Sequence, residues 1–259
     1  MNLLNALELD TNSKNIICLI GAGGKTTTMY SISKELIKQD KKVLLTTTTA
    51  IYYPMSKNYD NLIISNDLGQ LILESKRLAL GSITIIGKTI FYNNEKLKGI
   101  DRNWVKPLCT EGNYDSVIIE CDGAKRKSIK APTWYEPVIP KCATLMIGCI
   151  GLDIIDKMID EKWVHRANIF SGIVNQKLGE RINYDTILKL ILSKDGLFKE
   201  CNKHIPKVVL LNKVFNEEQL LQAQKLAENI INESNDISKV LIGNVKEENP
   251  ILTMVEDKS

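Results

Sequence analysis

The chain has six cysteines (Cys18, Cys109, Cys121, Cys142, Cys149, Cys201) but no C-x-x-C pair, and only two histidines. That excludes a zinc knuckle and leaves no disulfide framework to read. Several of the cysteines lie inside apolar runs, where a free thiol behaves as a small hydrophobe, so the expected setting is a reducing cytoplasm. No uninterrupted apolar stretch approaches the roughly 20 residues of a membrane-spanning helix. Residues 1–14 carry Glu8 and Asp10 and lack the charged-then-apolar layout of a signal peptide. The net charge of +3 is too small to argue for nucleic acid or a membrane surface, so neither is expected as a partner. Internal repeats and low-complexity segments are also missing. What remains is an ordinary globular composition, 44% hydrophobic and 25% charged over 259 residues, enough for one large α/β domain.

One stretch organises the rest: Gly21-Ala22-Gly23-Gly24-Lys25-Thr26-Thr27. An apolar run at 16–20 leads into it and a helical pattern at 29–38 leads out. Strand, glycine loop and helix, in that order, make a phosphate cradle. The glycines let backbone N–H groups turn toward an anion, and the helix N-terminus adds partial positive charge. Lys25 would reach the terminal phosphates and the Thr26 hydroxyl would ligate Mg²⁺. The usual P-loop pattern needs a glycine where Leu19 stands, so the spacing here is the shorter G-x-x-G-K-T. It is similar to the loop of the Mur peptide ligases, and less closely to those of the dethiobiotin synthetase and ParA-like class.

Other strand ends support the same site. The strand beginning at Val43 runs into Thr46-Thr47-Thr48-Thr49, a row of hydroxyls at the sheet edge where ligands bind in open α/β folds. Thr47 and Thr48 are candidates to touch phosphate or metal. The apolar run 114–119 ends in Glu120-Cys121-Asp122-Gly123, the shape of a Walker B strand. Its carboxylates, two apart and on one side of an extended strand, are the candidate Mg²⁺ ligands and catalytic acids beside Lys25. Four cations follow within six residues, among them Lys125, Arg126 and Lys130, and they form a candidate clamp for a second anion. The strand at 207–211 ends in Asn212-Lys213, which could flank a nucleobase; Phe215 stands where a GTPase would carry its guanine-reading Asp. His165, beside Arg166, reads as structural rather than catalytic.

Between these points, strands are expected at 15–20, 61–65, 82–92 and 144–150. The run 82–92 would form a hairpin with 96–98 around an Asn93-Asn94 turn. Asp101 would cap a helix through about 110. Residues 167–200 read as helical with breaks at Gly172, Gly179 and Gly196. A last helix at 217–231, a strand at 240–245 and an edge strand at 251–255 close an alternating β/α pattern.

Taken together, several stretches resemble the YqeC proteins, described as accessory proteins of selenium-dependent hydroxylases. The matching runs are I-G-A-G-G-K-T-T at 20–27, V-L-L-T-T-T-T at 43–49, E-C-D-G-A-K-R-K-S-I-K-A-P at 120–132, E-P-V-I-P at 136–140, G-L-D at 151–153, V-H-R at 164–166 and L-L-N-K-V at 210–214. The resemblance implies a cytoplasmic nucleotide-binding protein of the P-loop type. Its implied role is to make or insert a labile selenium cofactor for molybdenum hydroxylases, with such a hydroxylase or its molybdenum cofactor as partner. It names a pathway rather than a reaction. Cys121 stands where a small residue such as Ala is expected. A selenium or persulfide carrier role is conceivable there, but an inward-facing strand residue is the preferred reading.

The expected architecture is therefore P-loop NTPase-like α/β. It has a mainly parallel sheet flanked by helices in a single domain, 1–259, with a helical subdomain at about 156–205. The expected function is Mg²⁺-dependent binding and hydrolysis of ATP or GTP. The phosphates would sit on the loop from Gly21 through Ala22, Gly23, Gly24 and Lys25 to Thr26 and Thr27, with Thr26, Glu120 and Asp122 at the metal. The competing readings are a Mur-ligase-like enzyme that phosphorylates a carboxylate, and a non-catalytic, nucleotide-gated cofactor chaperone.

Overall fold

The structure is a computed structural model that describes residues 1–54, 58–93 and 95–257. It opens with one helical turn, α1 (Leu3–Ala6), followed by β1 (Asn15–Gly21) and α2 (Lys25–Ile37). Then come β2 (Val43–Thr47), β3 (Ala50–Tyr52), β4 (Asn61–Ile64), α3 (Leu68–Lys76), β5 (Ile83–Gly87), β6 (Thr89–Phe91) and β7 (Lys96–Lys98). The middle of the chain holds α4 (Val105–Glu111), β8 (Ser116–Glu120), β9 (Ile129–Lys130), β10 (Leu145–Gly151) and β11 (Val164–His165). The last part holds α5 (Ala167–Val174), α6 (Tyr184–Leu192), β12 (Lys207–Asn212), α7 (Glu217–Glu233), β13 (Lys239–Gly243) and β14 (Ile251–Glu256).

Nine strands form one sheet in the order β14-β13-β12-β10-β1-β8-β2-β5-β4, parallel throughout except for β14 at one edge. The central strands are buried on both faces, which is why they read as unbroken apolar runs. Alternate residues of β1 feed two cores. Ile17 and Leu19 pack with Met29, Ile32 and Leu36 of α2. Ile16, Cys18 and Ile20 share the opposite core with residues of α3 to α7, among them Leu71, Leu108, Phe170, Leu190 and Leu226. The strand carrying the glycine loop and the strand carrying Glu120 are direct neighbours, with Leu19 beside Glu120.

Several local expectations need correction. The run 82–92 is two strands. β5 joins the main sheet, while β6 pairs with β7, and β7 with β3, in a separate three-stranded sheet. The break falls at Gly87, where a Cβ would lie 2.4 Å from Leu97, so the backbone turns off under that side chain. Asn93 sits at the turn with φ +50°, and Asn94 lies outside the described residues. The row of threonines is not one continuous strand end: β2 stops at Thr47 and the chain bends before β3. Gly172 does not break a helix but lies inside α5, with nothing near its missing side chain. Asp101 caps a 3-10 turn at Arg102–Trp104 that leads into α4.

Lys42 shows how the helices are tied to the sheet. It is buried at the start of β2, and its ammonium donates to the Ser75 carbonyl in α3 (2.5 Å) and the Gly112 carbonyl that ends α4 (3.1 Å). It also lies 4.9 Å from the centre of the Tyr114 ring. A cation shared between two helix C-termini answers carbonyls that have no partner within their helices. Lys42→Met keeps the stem and strips the charge. It should cost about 2 kcal/mol in urea unfolding; an unchanged midpoint would show that the two helix ends do not depend on it.

Candidate functional site

The glycine loop leaves β1 at the carboxyl edge of the sheet. Gly23 (φ +84°) and Gly24 (φ +142°) take backbone conformations that side chains resist. Space forbids a side chain as well: a Cβ on Gly23 would lie 2.2 Å from the Gly151 nitrogen, and one on Gly24 2.2 Å from the Asn212 amide nitrogen. The first loop amides are used by the protein itself. Gly21 N donates to Asp122 Oδ2 (3.0 Å), Ala22 N to the Cys149 carbonyl (2.9 Å) and Gly23 N to the Lys127 carbonyl (3.1 Å). The next four, from Gly24 to Thr27, have no acceptor among the described residues. They form the start of α2, where the helix carries its partial positive charge.

Those amides open into a cleft of about 500 Å³. Among the described residues lining it, seven are cations (Lys25, Lys96, Lys125, Arg126, Lys127, Lys213, Lys246) and one, Glu120, is acidic. Such a surplus favours a polyanion. The Thr26 hydroxyl donates to Glu120 Oε1 at 2.6 Å, which leaves the hydroxyl oxygen free to face an ion. Burial raises the pKa of Glu120 against the pull of Lys25 and the Thr26 hydrogen bond.

Beneath the cleft runs a buried ionic chain. Lys25 Nζ donates to the Gly21 carbonyl (2.6 Å) and lies 2.8 Å from Asp122 Oδ1. Lys130 Nζ bridges Asp122 (3.0 Å) and Glu136 (2.6 Å), and the Arg166 guanidinium grips both oxygens of Glu136. Burial opposes the charge on Lys25, but Asp122 and Glu120 outweigh it and hold its pKa up. For Lys130, burial wins over Asp122 and Glu136, and its pKa is lowered. Glu136 is pulled below the ordinary carboxylate range: burial opposes this, but Arg166 and Lys130 together prevail.

The expected site residues therefore divide. Gly21 to Thr27, Glu120, Lys125, Arg126 and Lys213 gather at the cleft or its base. Asp122 anchors the loop, held by two ammonium groups and the Gly21 amide, which makes it a poor metal ligand. Lys130 is sealed in the ionic chain rather than facing an incoming anion, because Asp122 and Glu136 already claim it. Thr47 and Thr48 spend their hydroxyls on the carbonyls of Glu120 and Val138. Asn212 clamps the loop, donating to the Gly23 carbonyl (2.7 Å) and accepting from Val245 N (3.0 Å). Lys213 donates to Ser128 and Asp153 while still lining the cleft. Phe215 is exposed, with its amide on Gln219. Cys121 is fully buried beside Cys18, and burial pushes its thiol pKa well up, which keeps it unreactive.

Among the described residues no group of three or more His, Cys, Asp or Glu converges as a ready-made metal cage. Mg²⁺ does not need one where phosphates and water complete its shell. The hard oxygens of Thr26 and Glu120 fit that ion; Asp122 does not. Sequence reasoning missed Tyr52, Lys96 and Lys246 at the cleft and the roles of Glu136 and Arg166 below it. Glu136 and Arg166 stand inside quoted motifs, but their pairing across 30 residues leaves no local signal.

The sequence model of the YqeC protein family matches residues 17–168, more than half of the chain. The chain belongs to the YqeC family. It is also 24% identical over 246 residues to the uncharacterized protein YqeC of Escherichia coli (strain K12), covering 94% of this chain and 93% of that one. The matched YqeC segment takes in the glycine loop, Glu120 and the whole ionic chain as far as Arg166; Asn212, Lys213 and Lys246 lie beyond it. Among the described residues no helix is long and apolar enough to cross a membrane.

His165 sits at the end of the ionic chain, in β11 against Lys130 of β9. Burial, then the charges of Arg166 and Lys130, lower its pKa to about 4 from 6.5. The unfolded chain therefore binds the extra proton first as pH falls. The stability His165 contributes is whole above pH 6.5 and drains away toward pH 4, on the order of 2–3 kcal/mol. In urea unfolding, His165→Gln should gain on the wild type by that amount between pH 7 and pH 4. Parallel pH profiles would contradict this.

Proposed function

We propose that the protein binds a Mg²⁺–nucleoside triphosphate, ATP or GTP, in this cleft and hydrolyses it. It would do so as an accessory factor in making or inserting the selenium cofactor of molybdenum hydroxylases. The observation that carries the nucleotide half is the set of four amides at the start of α2 with no acceptor among the described residues, opening into a cleft whose described lining holds seven cations and one carboxylate. The pathway half rests on the family resemblance alone.

The loop amides would hold the β-phosphate, as helix N-termini hold anions. Lys25 stays charged even when buried. It would exchange Asp122 for the terminal phosphates, and Lys130 would remain to compensate Asp122. Thr26, its proton held by Glu120, would present its oxygen to Mg²⁺. The metal would neutralise charge on the phosphate oxygens as the bond breaks. Lys125 and Arg126 have no carboxylate partner among the described residues. Lys125 would be free to meet the charge that develops in the transition state, and Arg126 to meet a second anion. Glu120, the one described carboxylate on the cleft wall, would orient the attacking water.

Lys25→Met should leave the fold in place, because Asp122 keeps Lys130 and the Gly21 amide. It should weaken Mg²⁺–nucleotide binding by about 100-fold or more in calorimetry, the usual scale for losing one partner of a buried charge contact. Binding equal to that of the wild type would remove the loop from the account. Tight binding without phosphate release by the wild type would remove hydrolysis while leaving a nucleotide-gated chaperone.

A further inference from the structure

The cleft is lined from both sides of β1. Along the sheet edge, Lys213 leaves β12 and Lys246 follows β13, both on one side of β1. Glu120 ends β8, and Tyr52 belongs to β3 just after β2, both on the other side. Thr26 bonds to Glu120, so the metal and the terminal phosphate of a bound nucleotide face the β8 side. Phosphates run in one direction from the base, and the base therefore lies toward Lys213 and Lys246. Tyr52, Lys96 and Arg126 stand beyond the terminal phosphate, where the same nucleotide has nothing left to place. This rests on the nucleotide reading above.

That far end is a built surface. The Arg126 guanidinium carbon lies over the Tyr52 ring, 3.9 Å from its centre, and Tyr52 is 44% exposed. Lys96 approaches Tyr52 from β7 at 5.6 Å and Tyr92 at 5.4 Å. Neither Lys96 nor Arg126 has a carboxylate partner among the described residues, so cations already crowd an aromatic face without an anion to balance them. Lys125 (φ +46°) and Arg126 (φ +60°) are consecutive non-glycine residues in the left-handed region, a strain that tends to persist where ligands are held. An aromatic face next to a stacked guanidinium suits a flat conjugated ring. Uncompensated lysines beside it suit a phosphate or carboxylate.

We propose that Tyr52, Arg126 and Lys96 form a second-substrate subsite for a planar ring compound bearing a phosphate or carboxylate, seated beyond the terminal phosphate of the nucleotide. Its ring lies on the Tyr52–Arg126 face and its anion reaches Lys96 and Lys125.

The probe is riboflavin 5′-phosphate, whose fluorescence is quenched by stacking. It is titrated into the full-length protein alone and into protein saturated with Mg²⁺ and a non-hydrolysable ATP analogue. The expected result is saturable quenching in both cases, with no displacement by the analogue. Riboflavin, which has the ring without the charge, should bind at least about 10-fold more weakly. Tyr52→Ala and Arg126→Ala should each lose about 10-fold, the scale of one stacking contact. Tyr52 is exposed enough for its removal to spare the fold, which thermal unfolding checks. Absence of saturable quenching, one-for-one displacement by the ATP analogue, or full affinity in Tyr52→Ala would each overturn the subsite. Failure of the nucleotide reading shows up separately, as no analogue binding by calorimetry, and quenching in the protein alone then still decides the subsite.

Discussion

Asp122 holds two lysines and a backbone amide at once, and the position of the glycine loop depends on it. Lys25 comes from the first turn of α2, Lys130 from β9 and the Gly21 amide from the end of β1. Remove that carboxylate and two buried ammonium groups face each other with no charge between them. Losing one partner of such a buried pair typically costs about 3–5 kcal/mol. The chain continues through Glu136 to Arg166, so the loop is registered against β9, β11 and the segment between β8 and β10. Buried charge is weak evidence for stability, but it fixes geometry. Here three cations meet three carboxylates once Glu120 is included.

Above this balanced layer the cleft is unbalanced. Lys125, Arg126, Lys96 and Lys246 have no carboxylate among the described residues, and the amides from Gly24 to Thr27 have no acceptor. The contrast separates scaffold from site. Charges below the loop satisfy one another, while those four above it have no such partners among the described residues. Lys25 belongs to both layers. Its ammonium is held by Asp122 and Gly21, yet it lines the cleft. A polyanion that takes Lys25 pulls on the chain beneath, and Lys130 remains in place to keep Asp122 from being left alone.

The glycine loop, the parallel sheet and the acidic strand end were all legible in the sequence, because each is written in contiguous residues. Apolar runs of three to six residues marked β1, β8, β10 and β12, and Gly-Lys-Thr marked the start of α2. The roles within the site were less legible. Asp122 and Glu120 look alike at a strand end, but two residues of offset send Asp122 past the strand to the loop base and leave Glu120 at the cleft wall. Lys130 reads as part of a solvated basic run, and only the fold reveals that Glu136 and Asp122 enclose it. Thr47 and Thr48 offered hydroxyls to a ligand, but the bend after β2 turns them onto carbonyls. Tyr52 and Lys96 had no signal at all, since a small separate sheet carries them to the cleft.

The central claim is that the cleft above Asp122 exists to hold a Mg²⁺–nucleoside triphosphate. Thermal unfolding with ATP and with GTP, each with and without Mg²⁺, tests it most directly, because a ligand that binds the folded state raises its melting temperature by mass action. The account predicts a rise of several degrees with at least one of the two nucleotides, larger in the presence of Mg²⁺. A melting temperature unmoved by either nucleotide at millimolar concentration, with Mg²⁺ present, would contradict it.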